Sequence, residues 1–373
     1  MQFLEIKDQE LNKKKEMIDK NMNIVFMGTP DFAKESLRAL VEETNENVIA
    51  VVTNPDKPKG RGMNMIASEV KEYAIEKEIP VYQPEKVRGN EEFIKTLYSL
   101  NPDLLVVVAY GKILPKEVLD IPKYGAINVH GSLLPELRGA APIQWAVING
   151  LKETGITTMF MDEGMDTGDM ILKEKISISQ DETTGELWDK LKVVGGKLLV
   201  ETIKLIRGAE GSKELHDVAT MKLAGPNYTE IRNKAIKDCI KRLVHAEKQD
   251  ETLATYAPML EKEMGNIDWE KSKDKIHNLV RGLDPIMGAY TFYNGEKIKI
   301  WKTNISDISF DVEGIEQSKP GTILNSDKRL LVKTGDNGII EVIELQANNS
   351  KRMNAKDFLN GRKLETNIVF GRE

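Results

Sequence analysis

Asn128 and His130 stand one residue apart in INVHGSLLPELRG (127–139), directly after a short apolar run. On an extended strand alternate side chains face the same side, so the pair sets an amide donor beside an imidazole that can exchange a proton. That combination suits acyl transfer to an amine. The amide stabilises the oxygen that gains charge in a tetrahedral intermediate, and the imidazole takes the amine's proton or steadies the same oxygen. A histidine in such a role gains from a carboxylate that orients it. The stretch MDEGMDTGD (161–169) offers Asp162, Asp166 and Asp169, and spacing leaves all three open. A bare N-x-H is more often the mark of a structural histidine closing a strand.

Other chemistries lack their residues. The first strand–turn–helix reads MGTPDF (27–32) where a dinucleotide fingerprint needs G-x-G-x-x-G, and no G-x-x-x-x-G-K-[ST] phosphate loop is present. HGSLL does not fit the G-x-S-x-G nucleophile elbow. The single cysteine, Cys239, excludes a disulfide framework and cysteine-based metal clusters, H-E-x-x-H is absent, and no metal is expected. No apolar run approaches a membrane span, and the charged first residues lack the apolar middle of a signal peptide, so a cytoplasmic protein away from membranes is expected. The net charge of −6 argues against a protein devoted to coating nucleic acid but leaves room for a local basic face.

The elements that must carry the pair are legible in the periodicity. A buried strand at Asn23 to Met27, a Gly-Thr-Pro turn and a helix from Phe32 through Leu40 open the ordered chain. Strands at 48–53, Leu104 to Val108 and 125–129 alternate with helices, which predicts an α/β, doubly wound, mainly parallel sheet. Such a sheet has its ligand crevice at the carboxyl ends of its strands. Gly28–Ala33, Thr53–Gly62, Ala109–Leu114 and Asn128–Pro135 all point there, with NPDKPKGRG (54–62) read as a basic loop. Two strands around the aspartate turn and a long helix (185–206) complete this domain. Within 209–245, Tyr228, Ile231, Ala235, Cys239, Ile240 and Leu243 fall at helical spacing among basic residues, predicting a surface helix with a solvated face, with a partner-binding basic helix as the alternative. Short strands follow, including a hairpin turning on Asn294-Gly295, and predict a small β-barrel of the oligonucleotide-binding kind. The organisation expected is an extension (1–21), a catalytic domain (22–208), a linker with the basic helix (209–245) and an OB-like domain (246–373).

MNIVFMGTPDFA, TNPDKPKGRG, INVHGSLLPELRGAAPIQWAVING and MDEGMDTGDM together resemble the methionyl-tRNA formyltransferase family, within the formyltetrahydrofolate-dependent formyltransferases. DETLATYAPML, GAYTFYNGEKIKIWK and KRMNAKDFLNGRKLE resemble that family's second domain, so the likeness runs in order from Met22 to near Leu364. It implies transfer of a formyl group from 10-formyltetrahydrofolate, a co-substrate, to the α-amino group of methionine on initiator tRNA, for translation initiation. The implied catalytic trio is Asn128, His130 and Asp166, which selects among the three aspartates. The folate segment falls on Ser132, Leu133, Leu134 and Pro135, whose leucines would offer an apolar wall to the pterin. Arg61 stands where the family grips the acceptor end of the tRNA, and a monomer is expected. Residues 1–21 have no recognised counterpart in the family, 209–245 reads as an insertion where the family usually has a shorter linker, Met22 is an alternative start, and DPIMGAY departs from the commoner W-P-G before AY.

Two other readings share parts of this pattern. A formyltransferase for a small amine, such as glycinamide ribotide or an amino-sugar nucleotide, would keep the trio without needing the barrel or the Arg61 loop. A non-catalytic folate- or RNA-binding protein would not need the complete trio. For a tRNA partner, Lys297, Lys299, Lys302, Lys351, Arg352, Lys356, Arg362 and Lys363 supply basic clusters on the barrel, predicting salt-sensitive binding through phosphates.

Overall fold

The computed structural model describes residues 21–59, 64–221, 228–305 and 315–371. The chain divides into two compact units that are not contiguous in sequence. One comprises residues up to Arg138, Gly155–Lys175 and Lys190–Thr255; the other comprises Gly139–Thr154, Ile176–Asp189 and the chain from Tyr256.

In the first unit the apolar runs become strands β1 (Asn23–Gly28) and β2 (Asn47–Val52). A short hairpin follows, β3 (Lys57–Lys59) against β4 (Asn64–Ile66), and then β5 (Val81–Tyr82). Next come β6 (Leu104–Val108), β7 (Ala126–His130), β8 (Glu153–Phe160) and β9 (Met170–Ser177). Outside the β3–β4 hairpin, they form one seven-stranded sheet in the order β5-β2-β1-β6-β7-β8-β9. From β5 to β7 the pairing is parallel, and β8 joins β7 antiparallel. The doubly wound sheet is therefore present as expected. β6 is buried along its whole length, as a central parallel strand covered on both faces must be. Val25, Met27, Leu105 and Val107 join one apolar cluster beneath the helices.

The helix Asp31–Glu43 starts on Pro30 with an acidic first turn, favourable at the positive end of the helix dipole. Gly28 ends β1 where a Cβ would stand 2.6 Å from the Ala33 Cβ and 2.8 Å from the Val108 carbonyl oxygen, so only glycine lets the strand turn into its helix. The segment read as a loop at 54–62 is partly strand, because Lys57–Lys59 finds a partner in Asn64–Ile66.

The helix Tyr228–Leu243 belongs to this unit and its buried stripe differs from the one read in the sequence. Ile236, Cys239 and Ile240 are buried, whereas Tyr228 and Ile231 are exposed. Lysines occupy part of the inner face instead. Lys237 donates to the Leu119 carbonyl at 3.0 Å, and burial holds its ammonium below the usual lysine range. Lys241 pairs with Asp169 at 2.9 Å and lies over the Phe160 ring. Long aliphatic stems let both side chains cover apolar surface while their charged ends find partners.

The second unit carries β10 (Ala289–Tyr293), β11 (Glu296–Asn304), β12 (Ile323–Asn325), β13 (Leu330–Lys333) and β14 (Ile339–Ala347), in the antiparallel order β10-β11-β14-β13-β12, with a short strand Met353–Asn354 on β14. Asn294 and Gly295 both have positive φ, the turn geometry that matches strand twist in a two-residue hairpin. Isolated pairings of Phe292 with Gly371 and of Thr322 with Val369 curl the sheet into an OB-like half-barrel. Its core gathers Trp269, stacked on Phe370, with Ile276, Val280 and Leu283 from the helix Lys273–Leu283. Among the described residues no helix is long and apolar enough to cross a membrane.

Candidate active site

β7 delivers Asn128 and His130 to one face of the sheet at its carboxyl end. In the antiparallel ladder Asn128 lies opposite Met159 and His130 opposite Thr157, while Asn128 also pairs with Val107 of β6. The loop after β8 turns back over this strand end and carries Asp166 between the two side chains. Asp166 Oδ1 accepts from Asn128 Nδ2 at 3.5 Å, and Oδ2 stands 3.7 Å from His130 Nδ1. Asp162 instead caps its own loop, accepting from the Gly164 amide and the Thr167 hydroxyl, and Asp169 is taken by Lys241. The fold therefore separates three aspartates that spacing could not.

His130 is buried, and its Nε2 lies 3.0 Å from the Leu137 carbonyl oxygen. A carbonyl only accepts, so the ring proton of the neutral tautomer sits on Nε2 and donates to it. Nδ1 is then the atom left to take a proton, and it is the one facing Asp166. The Asn128 amide nitrogen carries two N–H groups, one of which is directed at Asp166. One face thus holds a proton acceptor, a neutral donor and a carboxylate.

Beside Asp166 lies a cavity of about 140 Å³ lined by Lys112, Ile113, Leu114, Met159, Met161 and residues 162–166. Its walls are largely apolar and methionine-rich, suited to a flat or irregular apolar group. Ser132, Leu133, Leu134 and Pro135 do not line it. Ser132 is buried and donates to the Glu136 carbonyl at 2.6 Å. Leu134 is buried against Met159 and Met170, so it backs the Met159 wall from behind. Arg61 lies outside the described residues.

Sequence reading passed over several residues that shape this place. Asn54 donates from Nδ2 to the Thr29 hydroxyl at 3.0 Å and to the Tyr110 carbonyl at 2.9 Å, tying together three of the loops expected to converge at the crevice. Arg138 and Gln249 lie under the Asp166 loop. Only the chance position of an asparagine, an arginine and a glutamine in loop sequence pointed to them, and no periodicity marks such residues. Among the described residues no group of three or more His, Cys, Asp or Glu side chains could hold a metal ion.

Known proteins resemble this chain along most of its length. Residues 22–203 match the formyl transferase family and residues 259–363 the formyl transferase C-terminal domain. The chain is 47% identical over 348 residues to the methionyl-tRNA formyltransferase of Caldanaerobacter subterraneus, covering 93% of this chain and 99% of the relative. It is 48% identical over 350 residues to that of Acetivibrio thermocellus, covering 94% of this chain and all of the relative. Among solved structures, an N-formyltransferase from Helicobacter canadensis, in complex with folinic acid and dTDP-3-aminofucose, shares the fold at a TM-score of 0.57 and 17% identity, covering 87% of this chain and 99% of its own. With both domain families matched in order and nearly full-length relatives of this identity, the chain belongs to the formyl transferases, in the methionyl-tRNA formyltransferase family.

Proposed function

We propose that this chain transfers the formyl group of 10-formyltetrahydrofolate to the α-amino group of methionine on initiator tRNA. The observation that carries the chemistry is the Asp166 carboxylate standing between the Asn128 amide and Nδ1 of His130. The nearly full-length likeness to proteins named methionyl-tRNA formyltransferase supports the substrate.

The co-substrate supplies an activated formyl carbon. This chain's residues supply the rest. Asn128 Nδ2 donates to the formyl oxygen as the amine adds and the oxygen gains charge. His130 Nδ1 takes the proton that the amine must lose and returns it to N10 of the folate as the formyl carbon–N10 bond breaks and tetrahydrofolate leaves, while Nε2 stays fixed on Leu137. Asp166 orients both side chains and balances the imidazolium that forms. The apolar cavity beside Asp166 suits the pterin, with Ile113, Leu114, Met159 and Met161 as walls and Ser132 to Pro135 as their support. Arg61 is proposed to grip the acceptor end of the tRNA.

The half-barrel supports a nucleic-acid partner. Lys302, Lys351, Lys356 and Lys363 are exposed, and Lys299 and Arg352 lie over the Trp301 ring at 5.2 and 5.0 Å. Arg352 is also pinned by Asp284 and Glu344, and Arg362 by Glu296, so the exposed lysines are the better phosphate partners. A monomer working in the cytoplasm completes the proposal. The test is direct: the protein, 10-formyltetrahydrofolate and methionyl initiator tRNA should yield formylated methionine. Parallel reactions with glycinamide ribotide and an amino-sugar nucleotide should yield nothing, and formylation of either in place of the tRNA would overturn the reading.

A further inference from the structure

The residue after β8 that carries the carboxylate has an unusual backbone. Asp166 has a φ of +56°, a left-handed conformation that a residue with a side chain keeps only where its surroundings fix it. What fixes it comes from a distant part of the chain. Gln249 Nε2 donates to the Asp166 carbonyl at 2.7 Å and to the Gly168 carbonyl at 2.8 Å. Its Oε1 accepts from Arg138 Nε at 3.0 Å and Nη2 at 2.8 Å. Arg138 is only 1% exposed, and its remaining donors meet both carboxylate oxygens of Glu251 at 2.9 and 2.8 Å.

These partners leave the glutamine no choice of orientation. A guanidinium only donates and a carbonyl only accepts, so the amide oxygen must face Arg138 and the amide nitrogen must face the loop. Both N–H groups are spent on the loop backbone. The flanking chain reinforces the hold, because Met170 and Glu247 exchange backbone hydrogen bonds at 2.8 Å and Lys241 pairs with Asp169. Side chain to backbone contact of this kind sets where the loop lies, and the loop sets where the carboxylate lies.

We infer that Gln249 is a positioning residue that holds the Asp166 carboxylate at Asn128 and His130, with Arg138 as its buried anchor. This rests on the role of Asp166 proposed above. Gln249 touches no reacting group, and its effect passes through the backbone of residues 166–168. A glutamate there would still pair with Arg138 but would set a carboxylate oxygen against two carbonyl oxygens. A methionine would fill the space and donate nothing.

The test is a double-mutant cycle between Gln249→Met and Asp166→Asn, measured as kcat and KM for formylation of methionyl initiator tRNA, with thermal melting of every variant. Displacement of a catalytic group by about 1 Å is enough to lower kcat by about a hundredfold. Gln249→Met is expected to lose about that much in kcat with KM for both substrates held within a few fold. In the Asp166→Asn background the same change should cost almost nothing more, because coupled residues are not additive. The imidazole resonances of His130 should move in the same direction in both single variants. If Gln249→Met fails to fold, Gln249→Glu, which keeps Arg138 paired, takes its place in the cycle. A lowered melting temperature with unchanged kcat, or losses that multiply in the double variant, would overturn the inference alone. Full activity in Asp166→Asn would instead overturn the reading of Asp166 on which it rests.

Discussion

Asp166 and His130 face each other across 3.7 Å, from Oδ2 to Nδ1, with the other ring nitrogen of His130 committed to the Leu137 carbonyl. The gap is longer than a hydrogen bond, so in the proposed mechanism the carboxylate would act on the ring electrostatically until Nδ1 carries a proton. Asp166→Asn keeps the shape and removes the charge. It is expected to lower kcat by about two to four orders of magnitude, with the melting temperature nearly unchanged. Steady-state rates with methionyl initiator tRNA check this, and wild-type turnover would exclude the assignment.

Asn128 is the donor proposed for the oxygen that gains charge. Loss of one such donor costs about a hundred- to a thousandfold in kcat in other acyl-transfer sites. Asn128→Ala should fall in that range while KM for tRNA stays close to the parent. A variant that raised KM and left kcat intact would make Asn128 a binding residue instead.

Gly168 lies where no side chain fits. A Cβ would stand 1.7 Å from the Phe160 carbonyl oxygen, which is backbone and cannot swing away. Gly168→Ala should therefore displace the loop that carries Asp166, lowering both kcat and the melting temperature. Parent-like values in both measurements would mean that the loop relaxes without moving the carboxylate.

His277 links stability of the second unit to pH. Burial holds its imidazole below the ordinary histidine value, and the ring lies 2.9 Å from the Thr303 hydroxyl and 3.3 Å from the Gln180 carbonyl. Above pH about 6.5, the ordinary histidine value, folded and unfolded chains are both neutral there. As pH falls below it, the unfolded chain takes up the proton first, so stability declines until the depressed folded value is passed. Urea unfolding at pH 7.5 and 5.5 should show a smaller acid-side loss for His277→Gln than for the parent. Equal losses in the two proteins would remove His277 from the account.

Exposed lysines on the half-barrel should behave as phosphate contacts. Replacing Lys302, Lys351 and Lys356 together with glutamate should weaken tRNA binding and flatten its dependence on salt, since each lost phosphate contact removes about one counterion from the slope. Filter binding over a salt series reads both quantities. An unchanged slope would place the tRNA elsewhere.

Several parts of this molecule were determined by the sequence alone. Unbroken apolar runs such as Leu104–Val108 can only be buried on both faces, and Asn294-Gly295 permits the positive φ of a tight hairpin, so both sheets were legible from local pattern. The i, i+2 spacing placed Asn128 and His130 on one face because strand geometry has a fixed period of two. Other features depended on contacts between residues far apart in the chain, which no local period encodes. That Asp166, and not Asp162 or Asp169, stands beside Asn128 and His130 follows from how one loop folds over β7, which spacing does not encode. Leu134, read in the sequence as part of a folate wall, is packed against Met159 and Met170, a contact that no local period encodes. Tyr228 and Ile231 shared a helical stripe with Cys239, yet they are exposed while Lys237 turns inward to the Leu119 carbonyl. Gln249 meets Asp166 across 83 residues of chain, a contact fixed by hydrogen-bond complementarity that exists only once the unit has folded.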